Sequence, residues 1–298
     1  MDAKPSLPLA ENERIAHWLR QMAELLHAQQ ANPFRVGAYR RAADTIERLQ
    51  VSVRDVLADH GRDGLDQLPG IGRGIASAVA EILETGRWAQ LDRLRGSLEP
   101  AALFQTVPGV GPELAERIHD ALGVETLEAL EVASHDGRLG SVPGVGPRRA
   151  AAIRAELAEL LGRAGLARRA NPSDAAQGGP EPAAAVFLDV DREYRDKALA
   201  GVLPTIAPRR FNPRGESWLP VLHAHREPWH FTALFSNTAR AHELDRTRDW
   251  VVIYFHDDDH VERQRTVVTE TRGPLLGRRV VRGREAECRA WYEAGGNA

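Results

Sequence analysis

Apolar residues recur at helical spacing through the first half of the chain. Ile15, Leu19, Met22 and Leu26 fall three or four apart, which places them on one face of a helix. Asn32-Pro33 is a helix-start signal, with Asn suited to capping and Pro to the first turn. Tyr39, Ala42, Ala43, Ile46 and Leu49 then continue the spacing on a second helix. Farther on, Ile75, Val79 and Ile82 lead to Gly86, and Leu114, Ile118 and Leu122 lead to Gly123. Ile153, Leu157, Leu160 and Leu161 close the series. Residues 9–163 are therefore predicted to be all-α.

The periodicity stops at residues 164–184, AGLARRANPSDAAQGGPEPAA, which gather Pro, Gly, Ala and Ser and read as a linker. Beyond it the period changes. AVFLDV, WHFTALFS, WVVIYF, RTVVTE and GRRVVRG are short β-rich runs. Asp191 to Ala200, Thr238 to Leu244 and Arg284 to Ala294 are the helical candidates, and His256 to His260 reads as an exposed hairpin loop with Asp257 to Asp259 at its solvated tip. Trp218, Trp229, Trp250 and Trp291 are assigned to the core of this second domain. The fold class is α+β overall: an all-α N-terminal region followed by a smaller α+β domain.

Three segments of the helical half repeat one another. They read LPGIGRGIA from Leu68, VPGVGPELA from Val107 and VPGVGPRRA from Val142. Each joins an apolar residue and Pro-Gly-apolar-Gly to a helical pattern, which is a helix-hairpin-helix turn. Glycines permit positive φ and let a ligand approach the backbone closely. The helix that follows presents unpaired N–H groups with a partial positive charge, so each turn forms a seat for phosphate that needs no lysine. Such a contact positions a nucleic-acid backbone without reading sequence. Arg73, Arg148 and Arg149 add charge beside two of the seats, whereas the second has Glu113 and is expected to be weaker. No strand precedes these turns, which excludes a dinucleotide-binding Rossmann loop.

Charge sharpens this picture. Residues 11–163 hold 18 arginines against 22 acidic residues, and residues 164–298 hold 19 arginines and Lys197 against 19 acidic residues. The chain as a whole carries −3, so a site for a polyanion must be local. Arg263 to Arg289 is such a local candidate, with eight arginines against three glutamates. Arg209, Arg210 and Arg214 beside Phe211 and Trp218 form another, since arginine among aromatics suits backbone contact and base stacking. No apolar run approaches the ~20 residues that span a bilayer. The start MDAKPSLPLAENER lacks a signal-peptide pattern, and the single Cys288 excludes an internal disulfide framework. A cytoplasmic protein without membrane contact is expected.

Asn32 to Leu49, Leu68 to Trp88 and the segment VPGVGPELAERIHDALGVETLEAL resemble family X DNA polymerases, in their N-terminal 8-kDa domain and the hairpin segment that follows. The resemblance covers about residues 10–160. It divides the helical half into domains at 9–98 and 99–163, ahead of the linker at 164–184 and the α+β domain of unassigned role at 185–298 that composition and periodicity mark out. It implies DNA, duplex or gapped, as the partner, with repair or replication as context and repair or replication proteins as further partners. Arg35, Tyr39 and Arg40 match the family's gap-phosphate pocket. Gly70, Gly72, Gly109 and Gly111 match its turns, and Gly144 and Gly146 repeat them; a monovalent cation held by turn carbonyls is the one cofactor implied.

Departures from the family are equally specific. The lysine that forms a Schiff base with an abasic sugar in several members is replaced by Ala78, and the neighbouring pocket lysine by Gly74. No lysine lies between Lys4 and Lys197, and arginine cannot do amine chemistry, so lyase activity is not expected. A polymerase palm needs a Gly-Ser, an Asp-x-Asp pair and a third Asp to hold two Mg²⁺. Asp189-Val190-Asp191 ends a strand run, with Asp249 or Asp257 as a third carboxylate, but no Gly-Ser precedes it and Asp191 is read first as a helix cap. The segment Phe231 to Leu244 resembles a palm segment with gaps. A remodelled Mg²⁺-dependent nucleotidyltransferase using Asp189 and Asp191 is thus the enzyme alternative, and a non-DNA adaptor is the other. His223, His225 and His230 fall near one another but without diagnostic metal spacing, so neither a catalytic nor a metal residue is assigned.

Overall fold

A computed structural model describes residues 7–97, 100–163, 181–257 and 262–297. The chain divides into two compact units, with the division after Pro172. Residues 164–180, most of the stretch read as a linker, and residues 258–261, including the acidic tip, lie outside the described residues.

The first unit is helical throughout, as its periodicity predicts. Its helices are α1 (Leu7–Ala28), α2 (Pro33–Arg48), α3 (Val53–Asp66), α4 (Arg73–Thr85), α5 (Ala89–Leu94), α6 (Pro100–Phe104), α7 (Pro112–Leu122), α8 (Leu127–His135) and α9 (Pro147–Arg163). Asn32 caps α2 by accepting from the Phe34 N–H, and Pro33 follows at its first position. Ile15, Leu19, Met22 and Leu26 of α1 are buried, as are Ala42, Ala43 and Ile46 of α2. Asn12 ties α1 to the start of α3, donating to the Val51 carbonyl and accepting from the Val53 N–H. A separate core gathers Phe104, Val107, Val110, Leu114, Ile118, Leu130, Val142, Val145, Ile153 and Leu157 around the second and third turns.

The second unit begins with α10 (Ala184–Leu199), not with a strand. Ala184, Phe187, Leu188, Asp191 and Tyr194 share its buried face at intervals of three and four, so the AVFLDV run belongs to a helix. A six-stranded antiparallel meander follows in sequence order: β1 (Thr205–Ile206), β2 (Leu219–Arg226), β3 (Trp229–Phe235), β4 (Val251–His256), β5 (Arg263–Thr269) and β6 (Arg279–Val281). Between them lie α11 (Ala239–Glu243), capped by Thr238, and the chain ends with α12 (Glu285–Glu293). Phe187 meets Phe231 and Phe255 edge-on in the core. Trp229 is buried there, Trp250 and Trp291 pack against it partly buried, and Trp218 is half-buried in the β1–β2 loop. Cys288 of α12 lies fully buried, its sulfur accepting from the Val281 N–H, and burial raises its thiol pKa. Among the described residues, no helix is long and apolar enough to cross a membrane.

Candidate nucleic-acid interface

The three repeated turns adopt one geometry. In each, the apolar residue before Pro accepts from the N–H of the apolar residue between the glycines: Leu68 from Ile71 at 3.1 Å, Val107 from Val110 at 3.1 Å and Val142 from Val145 at 3.0 Å. Ile71, Val110 and Val145 are buried, so each turn is pinned inward at its centre while both glycines face out. The next helix starts immediately. Its first hydrogen bonds run from Ala76, Ala115 and Ala150 back to Gly72, Gly111 and Gly146, each at 2.9 Å.

The two glycines of each turn serve different ends. Gly70, Gly109 and Gly144 have φ of 76°, 82° and 85°, which the backbone of the turn itself demands. Gly72 and Gly111 have φ of −92° and −81°, ordinary for any residue, and Gly146 is likewise outside the positive-φ set. A Cβ built at Gly72, Gly111 or Gly146 would meet nothing within 4 Å. At Gly72 and Gly111 no side chain caps the helix that follows. Neither backbone nor internal packing explains glycine at these second positions.

Surroundings rank the seats. At the first, Thr45 of α2 donates to the Pro69 carbonyl at 2.6 Å and the Arg41 stem lies against Gly70, so α2 buttresses the turn. Its helix opens with Arg73, whose amide adds a donor where the other two have Pro112 and Pro147. Arg73 itself lies 3.8 Å from Asp66 and remains exposed. At the third, Arg149 donates to the Gly144 carbonyl at 3.1 Å, and Arg117 of α7 reaches within 3.3 Å of where a Gly144 Cβ would lie. Arg148 is exposed beside them. Arg117 carried no motif signal, because its approach depends on α7 folding back past the turn. The second seat has exposed Glu113.

The three pocket candidates on α2 separate. Arg40 is exposed. Tyr39 is buried, its ring tilted against Trp88 at 5.8 Å and its hydroxyl donating to Gln90 at 3.2 Å. Arg35 is the informative one: Nε and one terminal nitrogen are buried without a hydrogen-bond partner among the described residues. A guanidinium left this way is costly unless an anion completes it. Phe34 beside it is 85% exposed, which the helical pattern alone did not single out. Ala78, where the family's lyase lysine would stand, is buried in α4.

In the second unit several expectations are corrected. Asp191 neither caps a helix nor ends a strand: Ala183 precedes α10, and Asp191 is fully buried in its middle. Arg279 donates to both of its oxygens, at 2.6 and 3.0 Å, and Arg195 to one. Arg279 also reaches Asp249 at 2.7 Å. Asp189, two residues earlier and so on the opposite side of α10, is held by Arg192 and Arg226. Asp257 is buried, not part of a solvated tip. Carboxylates facing apart and already paired with arginines do not assemble a two-metal cluster.

Most of the basic run closing the chain is likewise paired with carboxylates among the described residues, Arg272 and Arg278 excepted. Arg263 and Arg265 bind Glu181, Arg279 binds Asp191 and Asp249, Arg282 binds Glu270, Arg284 binds Glu287 and Arg289 binds Glu293. Arg278 stacks over Tyr292 at 5.0 Å. The net charge counted along the sequence therefore does not become an open basic face. His225, His230 and His256 stand in register across β2, β3 and β4, with ring centroids 4.5 and 5.2 Å apart, and His223 pairs with Thr232 instead. Among the described residues, no group of His, Cys, Asp or Glu has metal-holding geometry.

Comparison with known proteins agrees with the turn geometry. A helix-hairpin-helix domain model matches residues 10–88, and a SAM-like helix-hairpin-helix tandem model matches residues 101–159. The N-terminal half thus carries two stretches similar to helix-hairpin-helix domains. Among curated proteins, the DNA polymerase/3'-5' exonuclease PolX of Bacillus subtilis (strain 168) is 26% identical over 152 residues. That alignment covers 51% of this chain and 25% of the relative, so the chain matches about a quarter of that protein's length.

Proposed function

We propose that this chain binds DNA, holding duplex or gapped DNA by its backbone through the three turns without reading sequence, in DNA repair or replication. The observation that carries this reading is the glycine at positions 72, 111 and 146, where the fold itself has no use for one. A missing side chain with open space outside it suits a ligand backbone approaching the start of a helix. The similarity to PolX supports DNA as that ligand. The orphaned Arg35 guanidinium supports a pocket for the terminal phosphate of a gap.

The turns differ in their fit to a monovalent cation. Carbonyls of the first and third turns accept from Thr45 and Arg149, and a guanidinium already beside Gly144 disfavours a second cation there. The second turn, flanked by Glu113, is the better match, and a cation there would draw a phosphate toward the weakest seat.

The test is fluorescence anisotropy of a 5′-phosphorylated one-nucleotide-gap duplex against an intact duplex, titrated across salt. Wild type should bind both, with a log–log salt slope of about −3 or steeper for several phosphate contacts, and should prefer the gap. Gly72→Asn, Gly111→Asn and Gly146→Asn together should lower affinity at least about tenfold while the unfolding midpoint holds or rises, because Asn caps a helix at least as well as Gly. A folded triple variant with unchanged affinity would leave an adaptor whose turns merely pack helices.

A further inference from the structure

The β1–β2 loop of the second unit holds an aromatic side chain outward at a backbone cost. Phe211 is 46% exposed and sits at φ 52°, a conformation a bulky residue adopts only when its surroundings impose it. The surroundings are well defined. Thr205 and Ser217 close the neck of the loop with a 2.9 Å hydrogen bond, and the Trp218 N–H donates to the Ile206 carbonyl. Inside the loop, Asn212 donates to the Glu216 carbonyl at 2.8 Å and accepts from the Glu216 N–H at 3.0 Å.

A second asparagine ties the loop to α11. Asn237 donates to the Arg210 carbonyl at 3.0 Å, which directs its own oxygen toward His242 Nε2 at 2.7 Å. That arrangement places the imidazole proton on Nε2 and fixes the ring under Phe211, with centroids 4.3 Å apart and planes 36° from parallel. Burial, with Arg210 adding to it, lowers the His242 pKa, which favours the neutral ring beneath Phe211. The Arg210 guanidinium lies 5.2 Å from the Phe211 centroid, and Arg209 and Arg214 are exposed on the same loop, Arg214 lying 3.7 Å from Glu216.

We infer that this loop is a stacking platform for an unpaired DNA base, with Phe211 backed by His242 receiving the base and Arg209, Arg210 and Arg214 receiving the flanking phosphates. A half-exposed aromatic ring on a rigid loop offers a face that any base can use, and the arginines match the charge of the strand on either side. An apolar core residue would not be held outward at positive φ, and a purely electrostatic site would not need the ring. The inference takes DNA as partner from the reading above, but its site lies in the other unit and stands on its own geometry.

The experiment uses the full chain and a single-stranded oligothymidylate carrying one 2-aminopurine, with intact duplex measured in parallel. Stacking on Phe211 should quench the 2-aminopurine. Phe211→Gly suits the positive φ and keeps the loop; it should abolish the quench and weaken single-strand binding about tenfold, leaving duplex affinity unchanged. Phe211→Trp should preserve both signals. If Phe211→Gly binds and quenches like wild type, the platform is overturned while duplex binding by the turns still stands. If wild type binds single strand through Phe211 but no duplex, the platform stands and the reading of the turns fails. Binding to neither overturns both.

Discussion

The hairpin turns and the basic run of the sheet unit use arginine in opposite ways. Around the hairpin turns, Arg148 and Arg73, the latter 3.8 Å from Asp66, are exposed, and Arg149 donates to the carbonyl of its own turn. In the sheet unit six of the eight arginines between residues 263 and 289 are tied to carboxylates, and Arg279 is buried between Asp191 and Asp249. A window of sequence that counts +5 can thus have most of its arginines already paired, while a half carrying −4 presents local seats for an anion. The lesson is that the partner of each charge, more than its number, decides whether a surface is open to a ligand.

The largest expected effect tests the buried side of this contrast. Arg279→Met leaves Asp191 buried with only half-buried Arg195 to answer it, which should cost about 3–5 kcal/mol in the unfolding of the sheet unit, read by tryptophan fluorescence in urea. Adding Asp191→Leu should recover most of the loss, and duplex affinity should not follow either change. An Arg279→Met protein as stable as wild type would break the contrast outright.

Next comes a comparison within one turn. Gly144→Ala forces a side chain into positive φ and should cost about 1–2 kcal/mol in thermal unfolding. Gly146→Asn should be neutral or stabilising, since Asn is a good helix cap. Equal losses at the two positions would mean that both glycines serve the fold.

Smaller still is the effect at Arg35. Arg35→Met removes a guanidinium with two buried nitrogens that lack a hydrogen-bond partner among the described residues, so stability should hold or rise by up to about 1 kcal/mol. Gap preference over intact duplex should disappear in anisotropy, and a preference that persists would place the terminal phosphate elsewhere.

The least effect belongs to a pair open to solvent, Glu11 with Arg54, at 2.8 Å. The Arg54 guanidinium holds the Glu11 carboxyl below the usual carboxylate range. A lowered folded pKa gives stability that is present above the unfolded pKa and lost as pH falls through the folded one. Glu11→Gln should therefore cost less than about 1 kcal/mol at pH 7, and the difference should vanish in acid below the ordinary carboxylate range. Urea midpoints at the two pH values check both sign and size.

Much of the fold was legible because the period of burial was intact. In α1 and α2 every third or fourth residue is apolar and buried, and the three turns repeat their glycines at fixed offsets. The misreading of residues 185–190 as a strand has a definite cause. The helical face of α10 runs Ala184, Phe187, Leu188, Asp191, Tyr194, and the polar Asp191 interrupts it. That carboxylate can occupy the core only because Arg279, 88 residues later, arrives to pair with it. The same long-range pairing hid how much of the arginine run is matched, since Arg263 and Arg265 find Glu181 more than 80 residues upstream. At the candidate site, the turns and their glycines were readable, but which glycine the backbone requires was not, since that depends on φ. The two buried Arg35 nitrogens without a partner among the described residues and the approach of Arg117 to Gly144 likewise exist only once the helices are packed.

Cys288 gives the molecule a built-in clock. It is the chain's one cysteine, sealed in the sheet unit's core with a thiol that burial makes harder to ionise. A thiol reagent added to the native protein therefore has one target and reaches it only when that unit opens. The rate of modification at saturating reagent would report the opening rate of the sheet unit alone, with no signal from the helices that carry the turns. Run with and without DNA, the same reaction would time whether a ligand seated on one unit steadies the other.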